Sequence, residues 1–147
     1  MPVVLSIRSG GGTGAARVGK QLDKFGRKGR RVLIRHTEAL GLKIRNHAVK
    51  SILQGSPTGR VYGRHRASAP GQPPASDTGD LAGHIFAETG SKGKQRFVDV
   101  GTTKAHGLYL ELGTDRIEPR PWLQPAYDKQ SRNTEKELLS RMRRELK

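Results

Sequence analysis

One amphipathic segment constrains this chain more than any other feature. Between Val32 and Leu53, apolar residues recur at steps of four and seven and so share one face of a helix: Leu33, Leu40, Ile44, Ala48 and Ile52. Gly55 and Pro57 end that helix. Leu, Ile, Val and Phe together supply only 31 of the 147 residues, so we expect a small core, long loops and mobile ends.

The charge of the chain is distributed unevenly. The formal net charge is +15, and residues 1–66 hold 15 basic and 2 acidic side chains, whereas residues 67–147 hold 13 and 11. Two basic clusters stand out as contacts for DNA or for an acidic partner: Arg27, Lys28, Arg30 and Arg31, and then Arg60, Arg64 and Arg66. Aromatic residues for base stacking are scarce nearby, so we expect any DNA contact to be non-specific. The alternative is a solvated basic face that keeps the chain soluble.

Several classes of chemistry lack their residues in this sequence. The absence of Cys excludes disulfides, thiolate metal sites and Cys nucleophiles. The five histidines do not have metal-ligand spacing. The segment from Gly14 to Lys20 fits the start of a P-loop, but Gln21 stands where Ser or Thr must bind Mg²⁺. We therefore expect no catalytic residue, no cofactor, no metal and no small-molecule substrate.

No apolar run reaches the length of a membrane span, and no signal-peptide core follows Met1. We expect a soluble protein, made in a cytoplasm, that does not enter a membrane.

The N-terminal residues 1–31 are expected to form a basic, glycine-rich arm. Pro2–Ile7 could be a short strand, and Ser9–Gly14 reads as a flexible break. From Ala15 to Arg31 the glycines predict a loose helix, because each interior Gly costs a helix about 1 kcal/mol.

Residues 32–147 are expected to form a single α+β domain. The helix is followed by a proline-rich loop at residues 57–75, a turn at Ser76–Leu81, and a β-hairpin made of His84–Thr89 and Gln95–Gly101. Ala105–Leu112 could be strand or helix, and a final helix runs from about Trp122 or Leu123 to Leu146. The predicted architecture is a long N-terminal helix, a small antiparallel sheet with a β-hairpin, and a C-terminal helix packed on the sheet.

Three segments in this order resemble one protein family. They are the loop and turn at residues 65–81, the strand ending at Val98–Gly101, and the stretch from Ala105 to Thr114 with its sequel Pro119–Ala126. The set is similar to the small tail-component family of long-tailed double-stranded DNA phages, which comprises tail-completion and head–tail joining proteins of the neck. The matching positions are Asp77, Thr78, Gly79, Leu81, Tyr109, Glu111, Gly113, Thr114, Pro119, Pro121, Trp122, Leu123, Pro125 and Ala126.

The resemblance implies a structural ring subunit, commonly in six copies, at the junction of head and tail in the virion. Its partners would be further copies of itself, adjacent neck and tail-tube proteins, and DNA passing through the channel; it would assemble in the host cytoplasm. The chain departs from the family at Trp122, where Phe is usual, and at Gly107, near which the family has a small residue or Pro. Trp122 could be core or interface, and Glu111 could bond backbone or a neighbouring Arg.

Two other functions remain open from the sequence. The charge fits a non-specific nucleic-acid-binding module of another origin, although no such module is recognisable. A small nuclease is the second rival, and no constellation of metal ligands supports it.

Overall fold

The computed structural model describes residues 3–8, 13–93 and 95–145, with side chains from Gly26 onward. The α+β class is confirmed, with a long N-terminal helix, antiparallel sheets and a helical C-terminus. In chain order the elements are β1 (Val3–Arg8), α1 (Thr13–Leu53), β2 (Val61–Tyr62), β3 (His65–Arg66), α2 (Asp80–Gly83), β4 (Ile85–Lys92), β5 (Gln95–Thr102), α3 (Ala105–Leu112), α4 (Gln124–Ser131) and α5 (Thr134–Glu145).

Helix α1 is longer than its apolar stripe predicts. It begins at Thr13 and is interrupted at Gly26, whose φ of 62° and ψ of −145° lie outside helical values and suit a residue without Cβ. After this break the predicted stripe is buried, including Leu40, Ile44 and Ile52. The domain boundary expected between residues 31 and 32 therefore falls inside a continuous helical segment.

The main sheet has three antiparallel strands in the order β1-β5-β4. Strands β4 and β5 form the predicted hairpin, with Ile85 opposite Thr102 at its open end. The predicted N-terminal strand pairs with the other side of β5, from Val3 opposite Thr102 to Arg8 opposite Phe97. The start of the expected arm thus belongs to the sheet of the domain. Pro2 and residues 9–12 of the expected break lie outside the described residues.

Helix α1 packs closely on this sheet. A Cβ on Gly41 would overlap the side chain of Val98 in β5, so the glycine allows the helix to approach the strand. Arg45 also donates from Nε to the backbone oxygen of Ile85 at 2.9 Å. The core that results combines the α1 stripe with residues of the sheet and of later segments: Leu81, Ala82, Ile85, Val98, Val100, Trp122, Leu123 and Ala126.

The prediction of a single C-terminal helix from about residue 122 to residue 146 is wrong. The segment is divided into α4 and α5 by a turn at Arg132 and Asn133. Asn favours helix ends over helix interiors, and the backbone oxygen of Asn133 accepts from the Glu137 N–H in the new helix at 2.9 Å. Leu146 lies outside the described residues.

The two C-terminal helices pack in different places. Around α4, Leu123 and Ala126 share the core with the sheet, as expected. Helix α5 instead packs on α1, where Leu138 and Met142 form a second apolar cluster with Val32. Further along, the Lys43–Glu137 ion pair at 3.0 Å joins the same two helices, which therefore run antiparallel.

Two regions that the sequence left open or irregular have defined structure. Ala105–Leu112 is the helix α3. The proline-rich loop contains the two-residue strands β2 and β3, joined by a turn in which Gly63 has a φ of 59°. No helix in the described part of the chain is both long enough and apolar enough to cross a membrane.

His36 lies where α5 packs on α1 and is 5% exposed. Burial lowers its pKa below the ordinary 6.5; Arg141 and Lys43 lower it further, and Glu137 opposes them. The unfolded chain therefore binds a proton at His36 more readily than the folded chain. The stability that this neutral histidine contributes is complete above pH 6.5 and is lost as the pH falls below that value.

We expect the thermal midpoint of unfolding to fall between about pH 7.5 and about pH 5.5, and to fall less in His36→Gln, because the variant removes the group that must stay neutral. Circular dichroism melts across this range measure the effect. His106→Gln changes an exposed histidine of α3 and serves as the control. Parallel pH profiles for the wild type and His36→Gln would contradict the prediction.

Candidate functional site

Glu111, in the last turn of α3, binds the start of α4. Its Oε2 accepts from the backbone N–H groups of Trp122 and Leu123, both at 2.8 Å, and its Oε1 accepts from that of Gln124 at 2.9 Å. These donors have no partner within their own helix. A carboxylate is well suited to them because it is negative and accepts several hydrogen bonds. Of the two predicted roles of Glu111, a bond to backbone or a bond to a neighbouring Arg, the structure shows the bond to backbone.

Trp122 is a core residue, 1% exposed. Its indole Nε1 donates to the backbone oxygen of Gly107 in α3 at 3.0 Å. A Cβ on Gly107 would lie 3.0 Å from Leu81 and 2.5 Å from Thr102, so the helix can sit this close only with glycine. The two departures from the family pattern, Trp122 and Gly107, are thus in direct contact with each other.

Arg120, which is not among the residues predicted from the sequence, connects the proline-rich loop to α3. Its backbone N–H donates to the Leu110 oxygen at 2.6 Å, and its Nε donates to the Ser68 oxygen at 2.9 Å. The neighbouring Pro119 oxygen accepts from the N–H of Gly71 at 2.8 Å. The only signal in the sequence is its position between two prolines, which hold the backbone extended.

Gly113 and Thr114 form the turn that ends α3. Gly113 has a φ of 76°, and a Cβ there would meet the Ile117 backbone oxygen and Pro119 Cδ at 2.9 Å. The Thr114 hydroxyl oxygen accepts from the N–H groups of Arg116 at 3.2 Å and Ile117 at 3.1 Å. This turn sets the distance between α3 and the segment that carries Pro121.

The Asp77–Leu81 segment begins α2. Leu81 is buried, Gly79 has a φ of 78°, and the Thr78 hydroxyl oxygen accepts from the N–H of Asp80 at 3.3 Å. Asp80 pairs with Lys104 at 2.9 Å and with His84 at 3.2 Å. The hydrogen bond from Lys104 is the main cause that lowers the pKa of the Asp80 carboxyl. Asp77 is exposed and lies 3.6 Å from Nδ1 of His65.

The positions expected to form an interface or a family motif therefore divide into two groups. Most of them hold the scaffold together: Gly79, Leu81, Glu111, Gly113, Thr114 and Trp122. Tyr109, 49% exposed, faces solvent, as does Asp77. Near Tyr109 in the sequence, Leu112 and Ile117 are also exposed, at 70% and 38%. Tyr109 and Leu112, three residues apart on α3, thus present an exposed apolar surface, whereas Ile117 lines the groove described next.

An open groove of about 590 Å³ runs between the proline-rich loop and α3. One wall carries the hairpin β2–β3 and the segment that leads into α2, including Arg60, Tyr62 and Asp77. The other wall carries α3 and the turn that follows it, including Leu110, Arg116 and Arg120. Within residues 3–8, 13–93 and 95–145, no cluster of three or more His, Asp or Glu could hold a metal ion.

The structure does not bring the two predicted basic clusters together. Arg27, Lys28, Arg30 and Arg31 are exposed on α1 just after its break, whereas Arg60, Arg64 and Arg66 are exposed on the hairpin that follows the other end of α1. Arg31 and Leu53 are about 33 Å apart along the helix, at 1.5 Å per residue. The two clusters therefore lie at opposite ends of the part of α1 that follows the break at Gly26.

A second basic segment lies beside the first cluster instead. Since α5 runs antiparallel to α1 and Met142 contacts Val32, the exposed Arg143 and Arg144 lie at the same end of the helix pair as Arg30 and Arg31. We call this set of α1 and α5 cations the basic end. The α5 contribution is not visible in the sequence, because the two segments are more than 100 residues apart in the chain.

Comparison with known proteins adds no relative: no family model, no curated protein and no solved structure matches this chain.

We expect Glu111→Ala to lower the free energy of unfolding by about 2–3 kcal/mol, because three backbone donors lose a charged acceptor at once. Glu111→Gln should lie between this variant and the wild type, since an amide keeps one acceptor oxygen. Urea denaturation at neutral pH measures the difference. Glu118→Ala removes an exposed carboxylate a few residues away and is the control; equal midpoints for Glu111→Ala and Glu118→Ala would rule out the capping role.

Proposed function

We propose that this chain is a structural subunit of the neck of a long-tailed double-stranded DNA phage. In this proposal, copies of the chain form a closed ring of about six subunits by heterologous contacts around a rotation axis. The ring completes the tail and joins it to the head around the DNA channel, next to other neck and tail-tube proteins.

One observation carries the proposal: the sequence segments that resemble the phage family meet in a single unit around Glu111. This carboxylate ties α3 to the start of α4, Arg120 ties the proline-rich loop to the same place, and Val98 and Trp122 share the core beneath. Motifs that are distant in the chain but in contact in the fold depend on one another for their structure. Their joint occurrence therefore supports the resemblance better than any of the short motifs taken singly.

The apolar surface of Tyr109 and Leu112 is the proposed contact between copies. The two residues are three apart on α3 and so lie on one side of the helix. A chain with so few large apolar residues leaves both of them exposed to solvent on this surface. Burial against a second copy would remove that apolar area from water.

We expect nuclease-treated protein in high salt to show a discrete native mass near that of a ring of about six subunits, and Leu112→Ser to shift the mass towards monomer by weakening the contact at least tenfold. Light scattering over a concentration series measures the mass, and electron microscopy shows the ring. Leu112→Ser should keep the wild-type melting temperature, because Leu112 is 70% exposed.

Leu53→Ser is the matched control, since Leu53 is 57% exposed but lies on α1 away from the proposed contact. This variant should assemble like the wild type. A chain that stays monomeric at every concentration, and that is also absent from purified virions, would contradict the proposal.

The basic end is the proposed DNA-facing surface of the subunit. It combines the α1 cluster with the exposed arginines of α5, and cations on two adjacent helices can contact neighbouring phosphates without reading bases. The hairpin arginines at the opposite end of α1 are not part of this surface.

We expect the double variant Arg143→Gln/Arg144→Gln to bind duplex DNA more weakly, with the slope of log K against log salt reduced by about 1–2, because one or two phosphate contacts are lost. Fluorescence anisotropy with a mixed-sequence duplex measures the slope. Arg64→Gln/Arg66→Gln makes the same change of charge at the other end of α1 and should keep the wild-type slope. A steep slope together with no ring under any condition would favour the non-specific nucleic-acid-binding module over the neck subunit.

A further inference from the structure

Arg120 is a buried cation without a counter-ion in the described part of the chain. It is 8% exposed, and no carboxylate of the described residues lies within 4 Å of its guanidinium. Its Nε donates to the Ser68 backbone oxygen, and within the same residues its two terminal nitrogens make no hydrogen bond. The terminal nitrogens are not among the fully buried side-chain atoms that lack a partner, so the guanidinium is held by the protein at Nε and is open to an anion at its other end.

The groove beside Arg120 is suited to receive that anion. Arg60 and Arg116 also line it, and both are exposed. Ser68, whose backbone oxygen holds the Nε of Arg120, also lines it. The volume of about 590 Å³ falls within the range of about 300–1,000 Å³ typical of ligand sites.

The other groups in the groove favour a peptide over a nucleic acid. Asp77 and Asp80 line it as well, and their negative charges oppose a chain of several phosphates more than a ligand with a single carboxylate at Arg120. Tyr62, Leu110 and Ile117 offer apolar surface that a phosphodiester backbone does not use. An extended peptide can place a single carboxylate at Arg120 and apolar side chains beside it. Its backbone N–H groups can donate hydrogen bonds to Asp77.

We propose that this groove binds an acidic segment of a protein chain, and that one Asp or Glu carboxylate of the segment pairs with the terminal nitrogens of Arg120. Arginine presents two parallel N–H groups that match the two oxygens of a carboxylate, a geometry that lysine lacks. The inference is independent of the proposed ring, because the groove and the unpaired charge belong to a single copy of the chain.

The experiment uses the full-length chain and two short probes, the acetylated and amidated tripeptides Leu-Glu-Leu and Leu-Gln-Leu. Nuclear magnetic resonance of protein with labelled arginine follows the Nε–H signal of Arg120, assigned by its loss in Arg120→Lys. We expect the Glu probe to shift this signal saturably and to bind at least about tenfold more tightly than the Gln probe, which is a difference of about 1.4 kcal/mol.

Variants separate a binding role from a structural one. Arg120→Lys keeps the charge but loses the fork, and should bind the Glu probe at least about tenfold more weakly. Because this variant lacks the Arg120 signal, its affinity is read from the backbone amide signals of nitrogen-labelled protein, with the wild type measured in the same way. Because this variant could also disturb the bond to Ser68, the exposed pair Arg60→Gln/Arg116→Gln provides a second test, with an expected loss of about threefold and an unchanged melting temperature. Arg132→Gln/Lys136→Gln removes two exposed cations that do not line the groove and should bind like the wild type.

Three results would overturn the proposal. The first is equal affinity for the Glu and Gln probes, or the absence of a saturable shift with the Glu probe up to about 10 mM. A dissociation constant above that concentration corresponds to a binding free energy weaker than about 3 kcal/mol. The second is wild-type affinity for the Glu probe in both groove variants. The third is a short oligothymidylate that shifts the Arg120 signal at lower concentration than the Glu probe, which would assign the groove to a nucleic acid instead. Peptide binding and native mass are separate readouts, so failure here leaves the ring proposal standing, and the reverse also holds.

Discussion

The hydrogen bonds from three backbone N–H groups to the Glu111 carboxylate are the interaction on which the rest of the C-terminal half depends. Helix α4 begins directly after a turn with two prolines, so its first donors need an acceptor from outside the helix. Glu111 supplies that acceptor from α3, and the Trp122 indole returns a bond to α3 at Gly107. The short segment between α3 and α4 is thus fixed at two points. Arg120 and Pro119 lie within it and in turn hold the proline-rich loop.

The parts of the fold that could be predicted are those that local sequence determines. The buried face of α1 follows from residues spaced by four and seven, and the β4–β5 hairpin follows from alternation around a short glycine-containing turn. The turn at Arg132 and Asn133 could not be seen in the same way, because apolar residues continue on both sides of it at helical spacing. Asn133 is compatible with a helix end, but the contact of Leu138 and Met142 with Val32 shows where the chain goes after the turn. That contact joins residues more than 100 positions apart, so a local pattern does not reveal it.

The candidate site was predictable as a set of residues but not as a set of roles. The motif positions were identified, yet spacing alone could not tell that Glu111 binds backbone while Tyr109 faces solvent. The basic clusters were also identified, but their separation along α1 and the pairing of one of them with α5 depend on the tertiary fold. Arg120 is one of many arginines in the sequence, and what distinguishes it, burial without a carboxylate, exists only in three dimensions.

Charge links the proposed activities of this chain and also separates them. With a formal charge of +15 per copy, subunits of the proposed ring repel one another, and salt screens that repulsion. The proposed contacts between the basic end and DNA would respond in the opposite direction, because each phosphate contact weakens as salt rises. An acidic peptide in the groove would differ again, since Arg120 is buried and a buried pair is screened much less than an exposed one. The response to salt would therefore distinguish the three proposed interactions: ring contacts at Leu112, phosphates at the basic end, and a carboxylate at Arg120.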